Sequence, residues 1–298
     1  MLIPNLPTPL QPLIDEVTLR ADLQLFIKRD DLIHPTVSGN KWRKLKYVLD
    51  DARRKGHPAL LTFGGAWSNH LYATAAAGKM LGKKTIGVVR GEEYEAKPTG
   101  TLAYCREQGM ELHYISRENY RSKDTPDFRE YLNQKFNYPY IIPEGGSTAL
   151  ALPGVGEVVF ETEIQLNAKP DHFAVAAGTG GTAAGLLATS SPTLAFSALK
   201  NGSFLRKEIL DLAQTPDVED KLHLFTDYHF GGYARHRPEL LTFMQDFERK
   251  HKILIEHVYT GKMLFGLYDL IKKGFFKKGT TIVAIHTGGL QGRSHEKA

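Results

Sequence analysis

Lys41 heads the run Ser38-Gly39-Asn40-Lys41-Trp42-Arg43-Lys44-Leu45, a small-residue turn followed by apolar Leu45, Val48 and Leu49 at helical spacing. With Ser38 or Asn40 as N-cap, Lys41 meets the positive end of the helix dipole, which disfavours its ammonium form. A neutral lysine amine is the species that attacks a carbonyl to form a Schiff base. Arg43, Lys44 and Lys46 share the run and read as solvated surface charges.

A second chemical signal is the stretch Ala174-Val175-Ala176-Ala177-Gly178-Thr179-Gly180-Gly181-Thr182-Ala183-Ala184-Gly185. An apolar strand enters a glycine turn and leaves as a helix of small residues. Successive backbone N–H groups and the helix N-terminus suit a phosphate there, with Thr179 and Thr182 as hydroxyl donors. The alternative is a glycine turn that merely permits close packing of helix on sheet. A nucleotide P-loop would need Gly-Lys-Ser/Thr, which is missing here. A dinucleotide site needs an acidic residue about 20 positions on, and no Asp or Glu occurs between Asp171 and Glu208. A phosphate without a ribose partner fits best.

Gly64-Gly65-Ala66-Trp67-Ser68-Asn69-His70 also follows a strand and opens a helix. Ser68 and Asn69, with backbone N–H groups, make a carboxylate or phenolate site, or simply a helix cap. Further turns are Glu144-Gly145-Gly146-Ser147 and Ile285-His286-Thr287-Gly288-Gly289, where Thr287 could offer a hydroxyl to a heterocycle nitrogen. Val258-Tyr259-Thr260-Gly261-Lys262 places Tyr259 at a strand end before a helix. The spacing of His34, His229 and His286 supports no metal site.

These turns need a framework to hold them. Strand patterns fall at Ala59 to Phe63, Thr85 to Arg90, Glu111 to Ile115, Tyr140 to Ile142 and His172 to Ala177. They continue at Leu194 to Leu199, Leu222 to Thr226, Ile253 to Val258 and Thr281 to His286. Helical patterns lie between them, at Asn69 to Leu81, Gly100 to Gln108, Arg235 to His251 and Lys262 to Lys272. The alternation predicts an α/β fold with parallel sheets covered by helices on both faces. The polar segment from Arg117 to Asn137 reads as surface structure.

The 298 residues suffice for one large α/β unit or two packed domains, and 42% hydrophobic with 24% charged residues is ordinary for a globular chain. A net charge of +5 and a pI near 9.0 come from scattered charges, without a basic tail or zinc-ligand pattern. Nucleic acid is disfavoured as a partner; a small anionic ligand suits the charge. The single cysteine, Cys105, allows no internal disulfide, fits a reducing compartment and reads as a buried helix residue. Prolines interrupt the start, MLIPNLPTPLQPL, where a signal peptide needs an apolar run, and no stretch reaches membrane-spanning length. A cytoplasmic protein is expected.

The ordered set Lys28-Arg29-Asp30-Asp31, SGNKWRKL, GGAWSNH, EGGS, GTGGTAAG, VYTGK and HTGG resembles the fold-type II pyridoxal-phosphate enzymes. Within them it is similar to the aminocyclopropanecarboxylate deaminase/D-cysteine desulfhydrase family, over nearly the full length. The resemblance implies a tryptophan synthase β-like fold of two open, mainly parallel sheets covered by helices. Residues 1–44 and 156–298 would form a large cofactor-binding domain and 45–155 a small one. It implies that Lys41 carries the Schiff base to pyridoxal 5'-phosphate (PLP), that Gly178, Thr179, Gly180, Gly181 and Thr182 cradle its phosphate, and that Asn69 contacts its ring hydroxyl. Thr287 would bond the pyridine nitrogen. Ser68, Asn69 and His70 would line the substrate-carboxylate side, and Tyr233 and Tyr259 would flank the reacting carbons.

Deaminases of that family typically carry Glu and Gln where this chain has Thr260 and His70. Both residues look like D-cysteine desulfhydrase, which implies β-elimination from a small amino acid, giving pyruvate, sulfide and ammonia from D-cysteine. Trp67 stands where Gln is common, beside the substrate, and the chain is shorter than typical members. The other readings are an aminocyclopropanecarboxylate deaminase or another amino-acid lyase, a catalytically silent PLP-binding protein and, more distantly, a nucleotide-binding oxidoreductase. The resemblance also implies a homodimer.

Overall fold

The computed structural model describes residues 3–293, so the domain ends expected at residues 1 and 298 lie outside the described residues. Its strands, in chain order, are β1 (Leu10–Pro12), β2 (Gln24–Lys28), β3 (Ala59–Gly65), β4 (Lys84–Arg90), β5 (Met110–Ile115), β6 (Tyr140–Ile142), β7 (His172–Ala177), β8 (Thr193–Ser197), β9 (Leu222–Phe225) and β10 (Thr281–Ile285). They form a six-stranded sheet in the order β1-β2-β10-β7-β8-β9 and a four-stranded sheet in the order β5-β4-β3-β6. Every pairing is parallel except that of β1 with β2.

Helices cover both faces of the larger sheet, and strand alternation divides its core accordingly. Ala174, Ala176, Leu194, Phe196, Ile282 and Ala284 join one apolar cluster, while Phe173, Val175, Ala177, Ala195, Val283 and Ile285 join another. This explains why β7 and β8 read as unbroken apolar runs. In the smaller sheet, β3 is buried along nearly its whole length. The helix Asn69–Leu81 packs close enough that a Cβ on Gly78 would lie 2.1 Å from Thr85 Cγ2 on β4.

Two expectations about elements are corrected, and two strands had escaped the sequence pattern. Residues 253–258 form no strand, because side chains take up their backbone groups. Ile255 N–H donates to Glu248 Oε1 (3.1 Å), Leu254 O accepts from His286 Nε2 (2.8 Å), and Ile255 O accepts from Arg293 Nη1 (3.1 Å). The helix expected from Arg235 begins at Pro238, since a residue before proline is driven out of the helical region and proline suits the first turn. The first two strands escaped the pattern: β1 is a three-residue edge strand ending in proline, and β2 hides behind Lys28 at its buried end.

Among the described residues no helix is long and apolar enough to cross a membrane, and no group of three or more His, Cys, Asp or Glu is placed to hold a metal ion. Because the sheets are parallel, the carboxyl ends of their strands gather along one edge of each. The turns that follow β3, β6, β7 and β10 carry the glycine motifs.

Candidate active site

Lys41 is the second residue of the helix Asn40–Arg54. The cap is Gly39 and makes no side-chain bond, contrary to the expectation of Ser38 or Asn40. Ser38 Oγ donates instead to Asp31 O (3.0 Å), and Asn40 Nδ2 to Thr182 Oγ1 (2.9 Å). Gly39 is required here: its φ is +63°, and a Cβ would sit 1.9 Å from Thr287 O. Asn40 N–H also donates to Thr287 O (3.2 Å), so the lysine turn is pinned between β10 and the turn after β7.

The Lys41 amine has no hydrogen-bond or ion-pair partner among the described residues. Burial pushes its pKa down to about 8. Arg43 and Lys44 are not solvated. Arg43 is 1% exposed and bonds Asp30 (2.9 and 3.1 Å) and Glu161 (2.6 and 3.0 Å). Lys28 pairs with the same Glu161 at 3.1 Å. Two cations and two carboxylates thus neutralise each other beneath the lysine helix. That arrangement is what Lys28 and Asp30 of the Lys-Arg-Asp-Asp run serve. Lys46, partly exposed, pairs with Glu157.

Lys44 points one turn along, to Gly145 O (3.1 Å) and Ser147 Oγ (3.0 Å), and Ser147 Oγ shares a hydrogen bond with Thr179 Oγ1 (2.7 Å). A Cβ on Gly181 would lie 2.3 Å from Ser147 Oγ and 2.7 Å from Lys44 Nζ. The turn after β7 is therefore a cup with an amine in its wall. Gly180, at φ +71°, caps the seven-residue helix Gly181–Leu187. Burial, and then the Lys41 charge, pushes Lys44 well below the usual lysine pKa, and an anion in the cup would favour its charged form.

Ser68 caps the helix Asn69–Leu81, its Oγ accepting from His70 N–H and Leu71 N–H at 3.2 Å each. Ser68 is thus the helix cap that the sequence allowed and takes up those two N–H groups; its hydroxyl hydrogen remains to be given. Asn69 Oδ1 accepts from Gln291 Nε2 (2.8 Å), which turns its amide group toward Gly289. His70 Nε2 lies 2.8 Å from Thr62 Oγ1, which donates to Ile142 O (2.8 Å). Thr62 has spent its hydrogen on the carbonyl, so Nε2 carries the imidazole proton and Nδ1 is a bare acceptor. Nδ1 is buried without a partner among the described residues. Burial, then Lys41 and Lys44, holds the ring pKa well below its usual value, so His70 is neutral. Its side chain presents an acceptor, not a donor, to any ligand. Trp67 is half exposed and packs edge-on against Tyr94, with centroids 5.3 Å apart.

Tyr259 caps the helix Thr260–Lys272, and its ring lies over the cup: a Cβ on Gly178 would be 2.9 Å from Tyr259 Cε1. Tyr233 meets it edge-on at 6.0 Å. Burial, then Tyr233 and Glu256, pushes the Tyr259 hydroxyl well above its usual pKa, and burial also raises Tyr233. Both keep their protons at neutral pH. Thr287 follows β10 with its carbonyl over Gly39. Thr260 Oγ1 is likewise buried without a partner among the described residues.

The structure thus gathers Lys41, residues 178–182, Ser68, Asn69, His70, Tyr233, Tyr259 and Thr287 about one cleft between the sheets, with Trp67 on an exposed flank. Lys44, Ser147, Gln291 and Glu256 went unrecognised in the sequence. Ser147 and Lys44 lay inside quoted motifs, and only folding brings them together. The Glu256 carboxylate accepts from the N–H groups of Val258 (2.6 Å), Tyr259 (3.0 Å) and Thr260 (2.6 Å), which a lone Glu in an apolar run does not advertise.

Residues 3–288 match the family model described as pyridoxal-phosphate dependent enzyme. A Pyrococcus horikoshii protein, provisionally assigned as a 1-aminocyclopropane-1-carboxylate deaminase, is 35% identical over 97% of this chain and 91% of its own. An Arabidopsis thaliana protein named as a bifunctional, mitochondrial D-cysteine desulfhydrase/1-aminocyclopropane-1-carboxylate deaminase is 32% identical, over 90% of this chain and 73% of its own. A solved deaminase homologue superposes with a TM-score of 0.83 at 31% identity, covering 98% of this chain and 92% of the other.

Proposed function

Because the chain belongs to the pyridoxal-phosphate dependent enzymes, in the aminocyclopropanecarboxylate deaminase/D-cysteine desulfhydrase family, we propose that it is a lyase that eliminates the β-substituent of a small amino acid, with D-cysteine as its model substrate. The observation that carries this reading concerns the two positions where the sequence departs from the deaminases it resembles. They hold His70 and Thr260, and each leaves a buried, unpartnered polar atom, Nδ1 and Oγ1. Neither is the amide or carboxylate of a ring-opening deaminase.

The cleft fits the cofactor. It holds an unpartnered amine at Lys41, a glycine-walled cup that any Cβ on Gly181 would fill, and a second amine in that wall. Lys41 would hold the aldehyde carbon, and Gly178 to Thr182 with Lys44 the phosphate. Asn69 would meet the ring hydroxyl and Thr287 the ring nitrogen. When bound, PLP draws off the electron pair released at the substrate Cα. A neutral hydroxyl at the ring nitrogen moderates that pull, which suits elimination.

The remaining chemistry falls to side chains. The Ser68 hydroxyl is left free to donate to the substrate carboxylate. Lys41 Nζ, with its pKa near 8, is suited to take the Cα proton. Tyr259 and Tyr233 hold theirs at neutral pH and serve as donors to the departing β-substituent. The balance for D-cysteine is one water consumed, with pyruvate, ammonia and hydrogen sulfide formed.

The relatives' names favour ring opening of 1-aminocyclopropane-1-carboxylate as the second reading. Incubation of the PLP-loaded protein with D-cysteine, L-cysteine and aminocyclopropanecarboxylate, assaying sulfide and keto acid, separates them. Sulfide with a three-carbon keto acid from D-cysteine is expected. A four-carbon keto acid from the cyclopropane, without sulfide from cysteine, would replace the first reading with the second.

A further inference from the structure

Lys262 lies three residues past Tyr259 on the helix Thr260–Lys272 and is 1% exposed. It has no carboxylate at ion-pair distance among the described residues. Its ammonium donates instead to two carbonyls, His229 O at 2.9 Å and Gly232 O at 2.7 Å. Burial pushes its pKa down to about 8, against the pull of the Glu256 charge. A buried lysine spent on two backbone carbonyls calls for an explanation in what those carbonyls belong to.

They belong to the loop that carries Tyr233. The loop is sterically costly: Phe230 (φ +52°), Gly231 (+100°), Gly232 (+119°) and Ala234 (+54°) all have left-handed or neighbouring backbone, two of them with side chains. Its own bonds are short-range turns, Gly232 N–H to His229 O (3.0 Å), Arg235 N–H to Gly232 O (3.1 Å) and Gly231 N–H to His229 Nδ1 (2.9 Å). Phe230 anchors its first half in the core, edge-on to Phe265 at 4.9 Å. Lys262 ties down the carbonyl immediately before Tyr233. The same helix end presents Tyr259, which meets Tyr233 at 6.0 Å.

We propose that Lys262 is the positioning residue for Tyr233, its ammonium clamping residues 229–232 so that the Tyr233 hydroxyl stands beside Tyr259 over the cup. The role of Tyr233 rests on the lyase reading above; the clamp itself does not. One helix terminus then sets both tyrosines, so their separation survives motion of the loop against the rest of the molecule.

The test combines amide hydrogen exchange with a double-mutant cycle on the PLP-loaded protein. In Lys262→Met, exchange in residues 229–234 should rise roughly ten- to a hundredfold while β7 and β10 keep their protection. Lys262→Gln, which keeps one donor, should fall between, and it serves if the Met variant does not fold. With D-cysteine, kcat should fall in Lys262→Met with PLP affinity unchanged, and Tyr233→Phe combined with Lys262→Met should lose no more than the worse single change. Unchanged loop exchange, or losses that simply add, would overturn the proposal. Raised exchange with a fully active Tyr233→Phe would overturn the positioning role through Tyr233 itself. If the wild-type protein turns over no amino acid yet Lys262→Met loosens the loop, the lyase reading falls and the clamp stands.

Discussion

Lys41 and Lys44 sit one turn apart on one helix and both are depressed by burial, yet their surroundings divide the work between them. Lys41 has no partner among the described residues, while Lys44 is tied to Gly145 O and Ser147 Oγ in the wall of the cup. Lys41→Ala should abolish turnover while PLP still binds through its phosphate; Lys44→Met should weaken PLP binding about ten- to a hundredfold, the loss of a charge-assisted contact. Equilibrium dialysis beside a turnover assay distinguishes the two. The pKa of about 8 at Lys41 sets a sign as well. Below it the neutral fraction grows about tenfold per pH unit, so the rate of PLP attachment should rise with pH and level off above about 8. An unfolded lysine titrates near 10.4, so the unfolded chain binds more protons between about pH 8 and 10, and this residue makes stability rise with pH across that window. Asp15 acts at the other end of the scale. Burial works against its charge, but His251 (3.2 Å), the Tyr268 hydroxyl (2.8 Å) and two helix N–H groups hold its carboxyl below the usual range. Its contribution is present above the unfolded carboxyl pKa near 3.9 and is lost as pH falls through the lower folded value. Asp15→Asn should cost about 1–3 kcal/mol at pH 7 in urea unfolding, and the difference should shrink in strong acid.

At the scale of elements, the site depends on how closely glycine turns let strand ends and helix starts approach. Gly181→Ala would put a methyl where Ser147 Oγ and Lys44 Nζ already stand, at 2.3 and 2.7 Å. The expected result is a protein that stays folded but binds PLP at least about tenfold more weakly, the equivalent of about 1.4 kcal/mol, read by dialysis. Packing under the cup is a separate quantity. Phe173 on β7 is 1% exposed within the cluster of Val175, Ala195 and Val283, and Phe173→Ala should cost about 3–5 kcal/mol in the same unfolding assay. The central elements were legible because their physics is local. Strands β3, β4, β7, β8 and β10 are apolar on both faces, and the helix Asn69–Leu81 announces itself by its alanines and by Ser68. What escaped was decided by distant partners. Residues 253–258 look like a strand until His286, Glu248 and Arg293 claim their backbone groups, and Arg43 and Lys44 look solvated until Asp30, Glu161 and Ser147 arrive from elsewhere in the chain.

Across the whole molecule, the cleft exists because strand ends of two parallel sheets face a common space. Turns after β3 and β6 come from one sheet, and those after β7 and β10 from the other. The lysine helix leaves the larger sheet beside β10 and packs its apolar face, Leu45, Val48 and Leu49, into the smaller sheet's core. At its base the Arg43–Asp30–Glu161–Lys28 cluster ties that helix to β2 and to the helix Leu152–Leu166. Glu161→Gln would leave two buried cations with one carboxylate; a loss of about 3–5 kcal/mol is expected in thermal or urea unfolding. The order of motifs along the sequence made the family legible, whereas the tautomer of His70, with its Nε2 proton given to Thr62 and a bare Nδ1, could be read only from the fold. The proposed chemistry depends above all on one nitrogen, Lys41 Nζ. Borohydride treatment of the PLP-loaded protein, followed by digestion and mass mapping, should find the reduced cofactor on Lys41 and leave Lys44 unmodified. Cofactor mass on Lys44 or another lysine, or on none, would contradict it.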